Sequence, residues 1–133
     1  MTPADALQAW LALEHEAVWF YPVVGARLDG LRGRATTSFE AHRDTRDDLL
    51  ARLRDLDIEP VVAALAYEVG PITTAAEART VAQRIESQIS AACLSLVGLV
   101  DGDTRTFAVA ALTATAVAEL TWGAEPKAFP GLP

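Results

Sequence analysis

Four ionisable side chains, Glu14, His42, Glu86 and Glu119, stand on or beside apolar stripes in four separate amphipathic segments of this 133-residue chain. A carboxylate or imidazole that faces a helical core is costly unless it is paired, protonated or bound to a metal. These four positions are therefore where chemistry could reside. One reading makes Glu14, His42, Glu86 and Glu119 ligands of an iron, manganese or zinc ion. The other makes them a buried polar network, satisfied by one another, by arginine, or by the hydroxyls of Tyr21, Ser38, Thr115 and Thr121, which fixes helix register and catalyses nothing. With two histidines, one cysteine and no glycine-rich phosphate loop, the chain has no catalytic triad, nucleotide cradle or zinc-cluster spacing.

The elements that position these groups follow from helical periodicity at about 100° per residue. Leu7, Leu11, Glu14, Val18, Tyr21, Gly25 and Leu28 form one stripe, with Glu14 at its middle. His42 is central to a second stripe with Ala35, Ser38, Leu49 and Leu53. Glu86 sits near the edge of the arc Ala82, Ile85, Ile89, Cys93 and Leu96, and Glu119 aligns with Leu112, Thr115 and Trp122. Cys93 reads as a small buried hydrophobe.

End signals set the boundaries. Thr2, Pro3 and Asp5 predict an N-cap, a first helical position and an acid in the first turn, and Thr74 with Glu77 predicts a capping box. Helices are expected over about 3–29, 34–57, 74–100 and 104–122, with Gly30 and Gly33 bracketing the first turn, Asp103 capping the fourth helix and an irregular tail over 123–133. Arg43 and Asp47 are expected to pair on the outer face of the second helix.

The connection over 58–73 decides the topology. A helix of about 24 residues is roughly 36 Å long, and about 16 extended residues reach some 50 Å, so this segment can cross the whole bundle. The second and third helices then run in the same direction, giving one all-α domain over 1–133: a four-helix bundle in the up-down-down-up, ferritin-like arrangement; the alternative is an up-down-up-down bundle with a loose loop over 58–73. Val61, Val62, Leu65, Tyr67 and Val69 are expected to be covered. The first helix has a second apolar side through Ala9, Ala12, Trp19, Val23 and Ala26, to be buried by the crossover or by another subunit, the expected partner being a second copy in a homodimer anchored on Trp19; the alternative is an alanine-rich outer face with one exposed Trp. Counting from the first turn puts Glu14 and His42 at depths about 10 Å apart, which argues against a shared site.

The net charge of −7 disfavours nucleic acid as a partner, because phosphate binding requires clustered Lys and Arg. The apolar stretch Phe107–Ala118 is too short for a bilayer, so no membrane association is expected. The first twenty residues carry Asp5, Glu14 and Glu16 and lack a basic start, so no signal peptide is expected and the cytoplasm is the predicted location.

The runs LQAWLALEHEAVWFYPVVGARL at 7–28, AHRDTRDDL at 41–49, PITTAAEAR at 71–79 and the terminal FPGLP together resemble a small ferritin-like domain family, mainly actinobacterial, with no assigned activity. The resemblance spans nearly the whole chain and implies a ferritin-like four-helix bundle. Di-iron members of the wider class use a lone Glu on each of two helices and Glu-x-x-His on each of the other two. Glu14 and Glu86 match the lone glutamates. His42 has Phe39 where a glutamate belongs, and Glu119 has Trp122 where a histidine belongs, so the resemblance implies a degenerate di-metal site. The expectation is a non-enzymatic interaction or structural module with no resident cofactor; the alternative is a metal-binding protein of oxidoreductase type.

Overall fold

The structure, a computed structural model, describes residues 1–133. Its four helices are α1 (Pro3–Arg27), α2 (Arg32–Asp55), α3 (Ala75–Val97) and α4 (Gly102–Thr121), with a single 3-10 turn, Asp29–Leu31, between the first two. Both predicted starts are built as reciprocal caps. Thr2 Oγ1 accepts from the Asp5 amide at 3.1 Å while Asp5 Oδ2 accepts from the Thr2 amide at 2.9 Å. Thr74 and Glu77 repeat the arrangement at the head of α3.

Several boundaries move by a few residues, for local reasons. Neither Gly30 nor Gly33 takes a positive φ, so neither breaks the chain, and α2 begins at Arg32 with Gly33 inside it. α3 ends at Val97, capped by Gly98, three residues before the predicted Val100. Asp101, not Asp103, holds the cap position of α4, and the Asp103 carboxylate is turned to Arg52 instead. The predicted Arg43–Asp47 pair is absent: Arg43 bonds Asp44, Arg46 bonds Asp47, and the i,i+4 pair on this helix is Asp48–Arg52.

The crossover runs along α1. The Gln8 side chain meets its start with both ends of its amide, donating to the Glu59 carbonyl and accepting from the Val61 amide, each at 2.8 Å. His15 bonds the Val61 carbonyl at 2.9 Å, and Trp19 lies against Tyr67 with ring centres 5.8 Å apart. By Ala75 the chain has reached the turn at Arg27–Leu31. α2 and α3 therefore run the same way, as expected, and α1 packs along both of them while α3 packs along α4. The second apolar side of α1 is covered only in part: Trp19, half-buried, lies against Tyr67 of the crossover, while Ala9, Ala12 and Ala26 are exposed. The expectation that every apolar crossover residue is covered fails: Val62 is 82 % and Leu65 101 % exposed. The segment is held through its backbone by Gln8 and His15, so those side chains need not face inward.

α2 and α4 meet at their ends and part between them. At one end Arg52 bonds Asp103 and Thr104, at 3.1 and 3.2 Å, and its guanidinium lies 4.2 Å over the Phe107 ring, whose centre is 5.1 Å from that of Trp10. At the other end Trp122 Nε1 donates to Ser38 Oγ at 3.1 Å. Between these two ties lies a cleft of about 220 Å³ bordered by small residues, including Ala41, Thr45, Ala111, Ala114 and Ala118, with Glu14, His42 and Glu86 also lining it.

Arg52→Ala removes the lower tie. It is expected to cost about 1–2 kcal/mol in urea unfolding, most of it from the lost stacking on Phe107 and not from the exposed acids. An unchanged midpoint would show that the lower ends of α2 and α4 stay together without it.

Candidate functional site

Three helices bring one imidazole between two carboxylates. On α1, Trp10 precedes Glu14 by one turn and donates its Nε1–H to Glu14 Oε1 at 2.9 Å. The other oxygen, Glu14 Oε2, faces His42 Nδ1 on α2 at 2.6 Å. His42 Nε2 faces Glu86 Oε1 on α3 at 2.7 Å, and the same oxygen accepts from the Tyr21 hydroxyl at 2.6 Å. The Tyr21 ring stacks parallel to the imidazole, centres 5.6 Å apart and planes within 6°, and then on Trp122 at 5.5 Å. All of these side chains are buried, and Glu86, placed by helical periodicity near the edge of its arc, is fully enclosed.

The predicted depth mismatch between Glu14 and His42 is overturned. With α1 ending at Arg27 and α2 starting at Arg32, Glu14 lies 27 − 14 = 13 residues before the turn and His42 42 − 32 = 10 after it. The remaining three residues amount to about 4.5 Å of rise, which two long side chains span. Placing the end of α1 two residues late and the start of α2 two residues late had enlarged the offset.

Burial alone would drive the imidazole to its neutral form, but the Glu14 charge and hydrogen bond, reinforced by Glu86, outweigh it and raise the His42 pKa from 6.5 to about 10. At neutral pH both ring nitrogens carry protons and each donates to a carboxylate. Burial, with Glu86 alongside, pushes the Tyr21 phenol well above its ordinary range, so it stays a donor. Burial likewise raises the Cys93 thiol, leaving it unreactive in the folded state. One buried polar side-chain atom is left without a partner: Glu86 Oε2.

Glu119 is buried, as predicted, but belongs to a different cluster. Ser90 Oγ donates to its Oε1 at 3.1 Å and lies 2.8 Å from Thr115 Oγ1. Lys127, the only lysine in the chain, folds back in the tail to place Nζ 3.2 Å from Glu119 Oε2 and 3.1 Å from Ser87 Oγ. Gly131 completes the docking of the tail: its φ is +89°, and a Cβ there would lie 2.9 Å from the Ser90 carbonyl. Trp10, Ser90 and Lys127 were not singled out from the sequence. Trp10 sits four residues before Glu14 on the same helix face, and that spacing was the available signal; Ser90 bonds Glu119 across to α4, which no spacing within one helix reveals.

The residues do not fit a dinuclear metal centre. Glu119 is bonded elsewhere, the Trp122 ring is stacked on Tyr21, and Phe39 lies beneath Arg43. The two nitrogens of His42 point to opposite carboxylates, so an ion at either one gains that nitrogen and a single glutamate unless the ring moves. No set of three or more His, Cys, Asp or Glu side chains is grouped so as to hold an ion.

His42→Ala leaves two carboxylates buried without their shared cation and is expected to lose about 3–5 kcal/mol at neutral pH. In the wild type the raised folded-state pKa makes the histidine contribution complete below pH 6.5, diminishing above it and gone beyond pH 10 or so. Urea midpoints measured across that window should fall in the wild type and stay level in the alanine variant; parallel curves would show that His42 is not protonated in the fold.

Among curated proteins no match is found. The crystal structure of a conserved hypothetical protein, rv2844, from Mycobacterium tuberculosis is similar at 30% sequence identity and a TM-score of 0.84, over 94% of this chain and 93% of that one. The family model described as a domain of unknown function, DUF4439, matches residues 6–133, and the chain belongs to that family.

Proposed function

We propose that the protein is a non-enzymatic ferritin-like bundle, an interaction or structural module, in which a protonated histidine has taken the place of a metal at the centre. The observation that carries this reading is the placement of both His42 nitrogens against carboxylates, at 2.6 and 2.7 Å. A cation is already supplied by the chain. The pairing of Glu119 with Ser90 and Lys127 supports the same view, because it withdraws a fourth ligand. No helix is long and apolar enough to cross a membrane, and a cytoplasmic location accords with this reading.

A homodimer through the Trp19 face would have to displace Tyr67, so in this reading the crossover is the occupant of that face. Trp19→Glu is then expected to lower the melting temperature while leaving the mass by light scattering unchanged. A halved mass with the fold intact would restore the dimer.

The metal-binding alternative, with oxidoreductase chemistry, draws on one observation, the unpartnered Glu86 Oε2 beside His42. Glu86 and His42 Nε2 would be the ligands, and iron, manganese or zinc would supply Lewis-acid or redox chemistry when bound. Metal analysis of protein purified without chelator or affinity tag decides between the two. The proposal expects metal well below stoichiometric and a melting temperature indifferent to chelator. Stoichiometric iron, manganese or zinc that disappears in Glu86→Ala would replace it with the alternative.

A further inference from the structure

α4 turns one side to solvent along its length, and that side differs from the rest of the surface. Between Arg105 and Glu119 the helix has no charged residue, in a chain of net charge −7. Val109, Val117 and Leu120 are 45 %, 57 % and 47 % exposed, while only Ala108, Thr115 and Glu119 of this helix are buried. The tail extends the same face. It is held by Lys127 on Glu119 and by Gly131 against Ser90. Between tail and helix it leaves a hollow of about 360 Å³ lined by Leu112, Ala116, Leu120, Pro126 and Pro130. Phe129, the neighbour of Pro130, does not fill that hollow and is 73 % exposed. An aromatic ring in water beside an empty apolar hollow is half of a contact twice over: the knob and the hole are both present and neither is used.

Charge selects the occupant. A molecule carrying −7 repels a copy of itself across any acidic surface, and the outer side of α4 is where no acid intervenes. A cationic partner finds its carboxylates on α2 instead. The ends of the face carry opposite signs. Arg105 has only Asp101, at 3.8 Å, and Glu125, exposed at the rim of the hollow, pairs with no cation of its own chain. Laid antiparallel, two copies of α4 bring Arg105 of each towards Glu125 of the other, and a two-fold axis lets each copy supply the ring for the other's hollow.

The size is adequate for a modest dimer. A helix of 20 residues is about 30 Å long and about 10 Å across, and the tail widens its C-terminal half, giving on the order of 500 Å² seen flat and more along the curved surface. A specific interface buries roughly 800 Å² per partner, so association in the micromolar range is the expectation.

We propose that the outer face of α4, with Phe129 of the tail, is the contact between two antiparallel copies of this chain. α4 supplies none of the groups paired around His42, so the inference stands apart from what holds the centre of the bundle.

The test is light scattering of the full chain over a concentration series. The wild type is expected to approach twice the single-chain mass at about 100 µM and to fall towards the single-chain mass on dilution. Val117→Glu and Leu120→Glu, at positions exposed in the single chain, should each raise the dissociation constant by about tenfold or more with an unchanged circular dichroism spectrum. Leu65→Glu, as apolar and exposed a position but on the crossover, should leave it as it was. Arg105→Glu should weaken association, and Glu125→Arg in the same chain should restore it. If an α4 variant fails to fold, Phe129→Ala on the tail reads the same contact. A wild type of single-chain mass at the top of the series hands the face to some other partner and overturns the proposal. So does a dimer indifferent to Val117→Glu, Leu120→Glu and Phe129→Ala, or one split by Leu65→Glu. A charge swap that fails to restore association overturns the antiparallel arrangement.

Discussion

A single proton decides the interior of this bundle. With it, His42 is a cation shared by carboxylates on two other helices, and α1, α2 and α3 are joined at one level by contacts of 2.6 and 2.7 Å. Without it, two carboxylates face a neutral ring in a medium that solvates neither. Buried ion networks of this kind add little net stability compared with a well-packed apolar core, because desolvation offsets most of the attraction. Their larger effect is on alternatives. A slip of α2 by one turn along α1 would strand Glu14, His42 and Glu86 together, so the network favours one register by making the others expensive.

α4 lies outside that constraint and is held by different means. It packs along α3, is tied to α2 only at its two ends, and is fastened from behind by the tail through Lys127 and Glu119. Its middle turns carry small residues towards α2, which is what leaves the cleft between them. That absence of bulk keeps α4 apart from α2 between the two ties, while its opposite side packs along α3.

The architecture was legible because it depends on local rules. Caps at Thr2 and Thr74 need only neighbours, and a crossover long enough to span a helix permits α2 and α3 to run together. The stripes correctly placed Glu14, His42 and Glu119 in the interior. The meeting of Glu14 with His42 was lost to boundary errors of two residues on either side of one turn, since each misplaced residue shifts the predicted level by about 1.5 Å. Lys127 was beyond reach for another reason. Its partners, Glu119 and Ser87, are brought to it by a tail without periodicity, whose path is set by Gly131 closing on Ser90, and nothing in a helical wheel describes that. The crossover misled in the opposite direction. Val62 and Leu65 read as core by composition, but the segment is fixed by hydrogen bonds from Gln8 and His15 to its backbone, for which side-chain polarity gives no cue.

Cys93 has a practical corollary. Its sulfur is enclosed on α3 among residues of the central core, and burial suppresses the thiolate that alkylating reagents require. Labelling must therefore wait for the helix to come away from its neighbours, and the rate at which the sulfur is captured reports how often the interior breathes. The chain carries its own stopwatch for opening, in a position where no probe has to be introduced.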